Sequence, residues 1–356
     1  MKIIFKTLGI MVIAGLIGFI FAACGDSGGG GITTTSGNIP AIYVAGYYND
    51  GTYEKACYWI NGERKELHPT GATGNSTAKS IFVSGGSVYV VGWYDEGGND
   101  KACYWKNETK VDLNPDGADY SSAYSIFVEN ETVYVAGEYN DGTKKACYWI
   151  NNKNNKTPIP SVAASPNSIF VVSGTVYVAG ESSDEAYYSA DGGTPQSLDP
   201  TGADYSYAYS IFVAGGNKYV AGGYCDSSVE KACYWKNDAS QKTDLHPTGA
   251  GSSFAASIAV SGTDIYVAGY YTPTGSSSSA CYWKNIATQK TDIHPTGAEY
   301  SFAASIVVVG GNVYVAGDYD YNTTSNYKAC YWVNGTLKDL NQSGQISRAY
   351  SIFVVE

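Results

Sequence analysis

The sequence predicts an all-β fold, a seven-bladed β-propeller with four strands in each blade. Three observations predict it. The chain has 33 tyrosines and 42 glycines but only 8 leucines, and strands favour aromatic and β-branched residues whereas helices favour leucine and alanine. One unit of 42 to 48 residues recurs seven times. The two ends of the chain hold complementary parts of that unit.

The phrase Tyr-Val-Ala-Gly, or a close variant, marks each unit. It begins at Tyr43, Tyr89, Tyr134, Tyr177, Tyr219, Tyr266 and Tyr314. A Ser-Ile segment precedes the phrase, and an Ala-Cys-Tyr-Trp segment and a short polar segment follow it. Short apolar runs bounded by Gly, Asn, Asp and Ser are typical of strands joined by hairpins. Seven units of four such strands fit a propeller.

The chain begins and ends inside a unit. Residues 41–46 form a second strand with no first strand before it, and residues 350–355 form a first strand with no second strand after it. We expect these segments to share one blade and close the ring, which removes open strand edges. A linear solenoid is the alternative, and it needs atypical capping repeats at both ends.

Residues 1–23 have the pattern of an export signal, because Lys2 and Lys6 precede an apolar run that ends at Cys24. Residues 24–38 have the composition of a flexible tether, and residues 39–356 form the propeller. The small residues before Cys24 resemble the lipobox of bacterial lipoproteins. That resemblance implies a diacylated Cys24 that anchors the chain to a membrane of the bacterial cell envelope, which we expect to be the outer membrane. An ordinary signal peptide or an uncleaved anchor is the alternative.

The units in residues 39–356 resemble the β-propeller repeats of bacterial surface lipoproteins. Their pattern ACYWxNGxxxxL is also similar to the HAF-type extracellular repeats. The shared motif is structural, so the resemblance implies no catalytic residue. We expect a monomer without a cofactor. The formal charge of −11 argues against nucleic acid as a partner, since basic side chains are what neutralise phosphates.

The repeated cysteines are predicted to be packing residues. Packed sheets lie about 10 Å apart, whereas a disulfide needs α-carbons within roughly 4.4–6.8 Å. Cysteine is therefore expected as a small buried hydrophobe beside tryptophan, with metal or redox use as the alternative. The fourth unit has Tyr187 and Ser189 in place of cysteine and tryptophan, which leaves drift and specialisation both open.

Polar residues in the turns offer little chemistry. His68, His246 and His294 all lie in His-Pro-Thr-Gly-Ala segments on separate units, so they are interpreted as turn residues rather than metal ligands. The acids that follow Tyr-Val-Ala-Gly are too sparse for a calcium site. No common catalytic motif is present.

The candidate binding residues lie between the Pro-Thr-Gly-Ala turn and the next Ser-Ile. This stretch is predicted to be a loop near the central channel, and tyrosine there offers a flat apolar body with a polar tip. The candidates are Tyr120, Tyr124, Tyr205, Tyr207, Tyr209, Tyr300 and Tyr350. The alternative is that these tyrosines pack the loops against one another.

The predicted function is a non-enzymatic binding or surface scaffold with a glycan, peptide or protein ligand. The alternative is a carbohydrate-active enzyme, a lyase or hydrolase whose site is assembled from dispersed residues. A pair of carboxylates, or a carboxylate with arginine or tyrosine, facing the channel would favour the enzyme.

Overall fold

The computed structural model describes residues 39–160, 165–321, 326–340 and 345–356. Their strands form seven four-stranded antiparallel sheets, which are the blades of one ring. The predicted all-β, seven-bladed propeller is therefore confirmed. The expected signal peptide, Cys24 and the tether lie outside the described residues. Within the described ranges, no helix has the length and hydropathy to cross a membrane.

Every blade runs from an innermost strand beside the channel to an outermost strand at the rim. Blade 1 contains β28 (Ser347–Val355), β1 (Ala41–Asn49), β2 (Glu54–Ile60) and β3 (Glu63–Glu66). Blade 2 contains β4 (Ser76–Ser84), β5 (Ser87–Glu96), β6 (Asn99–Lys106) and β7 (Thr109–Asp112). Blade 3 contains β8 (Tyr120–Glu129), β9 (Thr132–Asn140), β10 (Lys144–Ile150) and β11 (Asn152–Pro158).

The other four blades repeat this order. Blade 4 contains β12 (Ser165–Val172), β13 (Thr175–Ser182), β14 (Glu185–Ala190) and β15 (Gln196–Ser197). Blade 5 contains β16 (Tyr205–Ala214), β17 (Asn217–Asp226), β18 (Val229–Lys236) and β19 (Asp238–Asp244). Blade 6 contains β20 (Ala250–Ser261), β21 (Asp264–Pro273), β22 (Ser279–Lys284) and β23 (Ile286–Asp292). Blade 7 contains β24 (Tyr300–Val309), β25 (Asn312–Asp320), β26 (Lys328–Val333) and β27 (Thr336–Asp339).

Blade 1 is made from both ends of the chain. The C-terminal strand β28 pairs antiparallel with β1, from Ala41 opposite Val355 to Tyr48 opposite Ser347. The two incomplete units of the sequence thus complete one sheet. No strand edge is left where the ring joins, which is the arrangement that the sequence predicted.

Every innermost strand contains a β-bulge at the same place. In blade 3, Ala123 pairs with Gly137 and Ser125 pairs with Ala136, so Tyr124 is left over. The bulge turns a carbonyl toward the second strand: a Cβ on Gly137 would lie 2.2 Å from the carbonyl oxygen of Ser122. The glycine of Tyr-Val-Ala-Gly is therefore needed for steric reasons in every blade.

A ring of seven hydrogen bonds joins the innermost strands. In each blade the serine after the bulge accepts from the backbone N–H of the isoleucine in the next blade, with distances of 3.1 to 3.4 Å. Ser305 accepts from Ile352 N–H, and Ser351 accepts from Ile81 N–H. These two bonds seat the C-terminal strand between blades 7 and 2. The innermost edge has no further strand to pair with, so the serine supplies the missing acceptor.

The Ala-Cys-Tyr-Trp strands form the packing between blades. All seven described cysteines are free and buried, and the six tryptophans of this motif are at most 1% exposed. Among the described residues the cysteines are thus packing residues, as predicted. In blade 4, Tyr187 and Ser189 are both buried on the face where cysteine and tryptophan stand elsewhere. Tyr187 is larger than the cysteine that it replaces, and Ser189 is smaller than the tryptophan that it replaces. The gain in side-chain volume at one position therefore accompanies a loss at the other position of the same face.

The histidines take part in contacts between blades. In the repeated arrangement a serine at the start of the innermost strand accepts from an alanine N–H of the preceding blade, as Ser76 does from Ala56 at 2.8 Å. The hydroxyl of Ser76 also lies 2.8 Å from Nδ1 of His68. Asn114 accepts from the equivalent serine of blade 3, Ser121. The histidine is thus a hydrogen-bond acceptor for serine, a role more specific than the predicted turn residue.

Candidate functional site

The seven candidate tyrosines lie on innermost strands rather than in loops. The ladder between the first and second strands continues past the bulge, so that Tyr120 still pairs opposite Asn140 and Tyr205 opposite Cys225. The expectation of a crossing loop was wrong for this reason. Tyr124, Tyr209 and Tyr350 are the bulged residues of blades 3, 5 and 1.

The side chains at and next to the bulge form what we call the mouth layer. This layer lies at the end of the channel where the innermost strands begin. It comprises three positions in each blade. The residue before the bulge alanine is Arg348, Thr77, Ser122, Ser165, Tyr207, Phe254 and Phe302 in blades 1 to 7. The bulged residue is Tyr350, Lys79, Tyr124, Asn167, Tyr209, Ala256 and Ala304. The third position follows the repeated glycine of the second strand, and in blades 1 to 7 it is Tyr47, Trp93, Glu138, Glu181, Gly223, Tyr270 and Asp318.

Six aromatic rings of blades 5, 6 and 7 form a continuous group, which we call the aromatic arc. Its members are Tyr205, Tyr207, Tyr209, Phe254, Tyr270 and Phe302, with centroids of neighbouring rings 4.8 to 6.2 Å apart. Phe254 and Tyr270 are stacked within 8° of parallel. Five of the rings are partly exposed, whereas Tyr207 is buried. Its hydroxyl has no hydrogen-bond partner among the described residues. Gly223 makes room for that ring, since a Cβ there would lie 2.7 Å from the Tyr207 hydroxyl.

Two cations of the mouth layer lie on blades 1 and 2. Arg348 forms a bidentate ion pair with the buried Asp318, at 3.0 and 3.1 Å. Burial raises the pKa of the Asp318 carboxyl, and the guanidinium opposes that rise. Arg348 Nη2 lies 3.4 Å from the Tyr300 hydroxyl. Lys79 Nζ lies 4.2 Å from the centroid of the Tyr350 ring.

Two carboxylates occupy the opposite side of the mouth, on blades 3 and 4. The buried Glu138 forms an ion pair with Lys144 at 3.0 Å. Burial raises the pKa of the Glu181 carboxyl, and the charge of Glu138 adds to this rise. Both carboxylates also raise the pKa of the buried Tyr187, whose hydroxyl has no hydrogen-bond partner among the described residues. The divergent fourth blade therefore places its tyrosine beside an acidic pair.

The level below the mouth is apolar. Phenylalanines on five successive blades form a belt with ring centroids 4.8 to 4.9 Å apart. The members of this phenylalanine belt are Phe353, Phe82, Phe127, Phe170 and Phe212. Blades 6 and 7 have Ala259 and Val307 at the same position. The polar and aromatic mouth layer therefore borders the apolar phenylalanine belt.

Among the described residues, no cluster of three or more His, Cys, Asp or Glu side chains can hold a metal ion. The sequence reasoning named the tyrosines but missed Lys79, Glu138, Glu181, Phe254 and Arg348. A signal was present for the two glutamates, because the residue after the repeated glycine changes from aromatic to acidic to glycine between units while that glycine is the same in all seven.

No protein-family model and no curated protein sequence matches the chain. Solved structures match its fold. A puromycin-hydrolysing peptidase of Mycobacterium tuberculosis has a TM-score of 0.56 at 11% identity, covering 84% of this chain and 52% of the peptidase. An ulvan lyase, which is a polysaccharide lyase, has a TM-score of 0.51 at 12% identity, covering 76% of this chain and 83% of the lyase. A prolyl endopeptidase has a TM-score of 0.52 at 10% identity, covering 86% of this chain and 50% of the endopeptidase. The chain spans about half the length of the two peptidases, and at these identities the likeness concerns the fold alone.

Proposed function

We propose that this protein is an exported, lipid-anchored β-propeller that binds a glycan at its mouth layer. The observation that carries the proposal is the aromatic arc on blades 5, 6 and 7. Sugar rings present apolar C–H faces that pack on aromatic faces, and their hydroxyls pair with carboxylates and with tyrosine hydroxyls. Both kinds of group surround this mouth.

The arc is more extensive than ring closure requires. Blades 2, 3 and 4 close the same ring with Thr77, Ser122 and Ser165 where blades 5, 6 and 7 have aromatic side chains. Partly exposed aromatic rings grouped on one surface are typical of a recognition site rather than of packing. The binding interpretation therefore has more support than the loop-packing alternative.

The test is a glycan and peptide array probed with the full chain, followed by titration of the best ligand. We expect glycans to bind, and the double substitution Phe254→Ala with Tyr270→Ala to weaken binding by at least about tenfold. Tyr53→Ala is the matched control, because Tyr53 is an exposed tyrosine in the turn between β1 and β2, outside the arc. Binding of peptides alone, or equal binding by both variants, would contradict the proposal.

The anchor is tested separately from the ligand. Cys24→Ala should prevent lipid attachment and move the protein from the membrane fraction to the soluble fraction. Cys103→Ala is the control, since Cys103 is buried between blades. Membrane association that persists in the Cys24 variant would contradict a lipid anchor.

A carbohydrate-active enzyme is the second candidate function, and the Glu138–Glu181 pair favours it. One carboxylate is ion-paired with Lys144 while burial raises the pKa of the other. An ion-paired carboxylate beside a carboxyl whose pKa is raised by burial suits a general base and a general acid. Glycans that bind on the array should then be cleaved, and Glu181→Gln should abolish cleavage without abolishing binding. Bound glycans that stay intact would leave binding as the function.

A further inference from the structure

The aromatic arc continues into Arg348. This residue occupies in blade 1 the position that Phe302 occupies in blade 7 and Phe254 in blade 6. Its guanidinium is held in place by Asp318 and lies 4.3 Å from the centroid of the Tyr327 ring. Nε and Nη2 donate to the Asp318 carboxylate, Nη2 also donates to the Tyr300 hydroxyl, and Nη1 has no hydrogen-bond partner in the ranges that the structure describes. One donor edge of a fixed guanidinium is therefore available next to the arc.

Lys79 lies one blade further along. It is the bulged residue of blade 2, and its ammonium group rests on the ring of Tyr350, the bulged residue of blade 1. Among the described residues, no carboxylate lies at ion-pair distance from this ammonium group, and no side chain or carbonyl accepts a hydrogen bond from it. Nine other lysines of the described residues form ion pairs, and each of them lies 3.0 Å or less from an acid. A partly buried cation without a counterion is costly, and a bound anion would remove that cost.

The groups around Lys79 reinforce this interpretation. Burial lowers the pKa of the Lys79 ammonium to about 8, and the charge of Arg348 adds to the lowering. Glu54 and Asp100 oppose the shift from a distance without forming an ion pair with Lys79. Asp318 is already occupied by Arg348. No carboxylate of the described residues is therefore in place to neutralise Lys79 by direct contact.

We propose that Lys79 Nζ and Arg348 Nη1 form an anion subsite at the end of the aromatic arc, so that the ligand is an acidic glycan. The inference rests on the proposed glycan-binding function and narrows its ligand class. The sugar rings pack on Phe302 and Phe254, and a carboxylate or sulfate on the chain reaches the two cations. A guanidinium with a fixed orientation suits planar or tetrahedral oxyanions, and an ammonium adds a point charge.

The experiment titrates the full chain with three oligosaccharides of equal length: a hexuronate oligomer, a sulfated oligomer and a neutral oligomer. We expect at least about tenfold tighter binding of an acidic oligomer than of the neutral one, the range of a hydrogen bond to a charged group. The two acidic arms distinguish carboxylate from sulfate recognition. The preference should shrink as salt concentration rises.

Variants at Lys79 decide whether this residue is the cause. Lys79→Met should remove the preference for the acidic oligomer while neutral binding stays, and Lys79→Arg should retain it. Lys338→Met is the matched control, because it removes the same charge from an exposed position on the outermost strand of blade 7. Arg348 is left unchanged, since it also joins blade 1 to blade 7.

The pH dependence gives an independent measurement. Because the Lys79 ammonium loses its proton near pH 8, or somewhat higher with an anion bound, the acidic preference should decrease between pH 7 and pH 10. Lys79→Arg should remove that decrease. Equal affinity for acidic and neutral oligomers, or a preference that survives Lys79→Met, would overturn the subsite while the proposed function stands. A failure of every glycan to bind would overturn both.

Discussion

Two levels of the same seven strands follow different constraints. The belt layer, which we define as the Ser-Ile pairs and the phenylalanine belt after the bulge, has serine and isoleucine in all seven blades. The mouth layer before the bulge has arginine, threonine, serine, tyrosine and phenylalanine at a single position. In the belt layer each side chain completes a contact with the next blade. In the mouth layer some side chains, such as Tyr209 and Phe254, are partly exposed, and others, such as Asp318, are buried in a local ion pair, so the residue types differ between blades without opening the ring.

This contrast teaches where to look for function in a repeat protein. Positions that repeat in every unit satisfy a demand that every unit makes, such as the serine acceptor for the N–H of Ile352. Positions of the mouth layer, where the residue type differs between blades, instead meet a requirement of one blade. Glu138 and Lys144 form such a local pair, as do Asp318 and Arg348.

The largest expected effect comes from removing the end of the belt layer. Deletion of residues 350–356 removes most of β28, including Ser351 and Ile352, which hydrogen-bond to blades 2 and 7. We expect loss of the cooperative unfolding transition, measured by thermal denaturation monitored by circular dichroism. An unchanged melting curve would mean that the ring does not depend on this strand.

A single methyl group added on the second strand, where it faces the bulge, should have the next largest effect. In Gly92→Ala the new Cβ would lie 1.9 Å from the carbonyl oxygen of Thr77, so backbone must move, at a cost of at least about 3 kcal/mol in the free energy of unfolding. Urea denaturation measures it. Gly251→Ala is the control, because the nearest described atom to its new Cβ would be the Thr272 carbonyl oxygen at 3.6 Å, an ordinary contact distance. Equal effects of the two substitutions would show that the bulge is not the constraint.

The mouth layer should show the opposite behaviour, with binding lost and the fold kept. Tyr124→Ala, Tyr209→Ala and Tyr350→Ala together remove all three bulged tyrosines, and we expect at least about tenfold weaker ligand binding. The melting transition should remain cooperative. Ser84→Ala, at the last residue of β4, and Asn130→Gly, in the turn after β8, lie at the far end of the innermost strands and should leave affinity unchanged. Binding that survives the triple change but fails in these controls would assign the site to the other face.

The smallest expected effect is a pH dependence of the contacts between blades. Burial lowers the pKa of His68 and of His246, so the unfolded chain takes up protons before the folded chain does. Stability from these residues is present above about pH 6.5 and is lost as the pH falls below it. His68→Asn with His246→Asn supplies the acceptor that Asn114 provides in blade 3. The melting temperature of this variant should fall less between pH 7 and pH 5, and parallel curves would contradict the acceptor role.

The fold was largely predictable because repetition makes local signals add. Seven copies of one unit gave the strand order, and the incomplete units at the two ends gave the closing blade. The bulge was not predicted, because a serine and a glycine have many roles and only the register shows that Gly137 avoids the Ser122 carbonyl. The charged parts of the mouth were missed for a related reason. Glu138 and Glu181 lie 43 residues apart in the sequence, and only ring geometry brings them near each other.

The chain enters blade 1 at the end that lies far from the mouth. Ala41 pairs with Val355 at the end of blade 1 far from the mouth, and β1 then runs toward Tyr48 at the mouth end. The preceding residue Ile39 is 92% exposed at that far end. Under the proposed N-terminal anchor, the tether would therefore join the propeller at the end opposite the mouth, and the mouth would stay clear of the attachment point. Large or polymeric ligands could then approach the binding surface without steric hindrance from the bilayer.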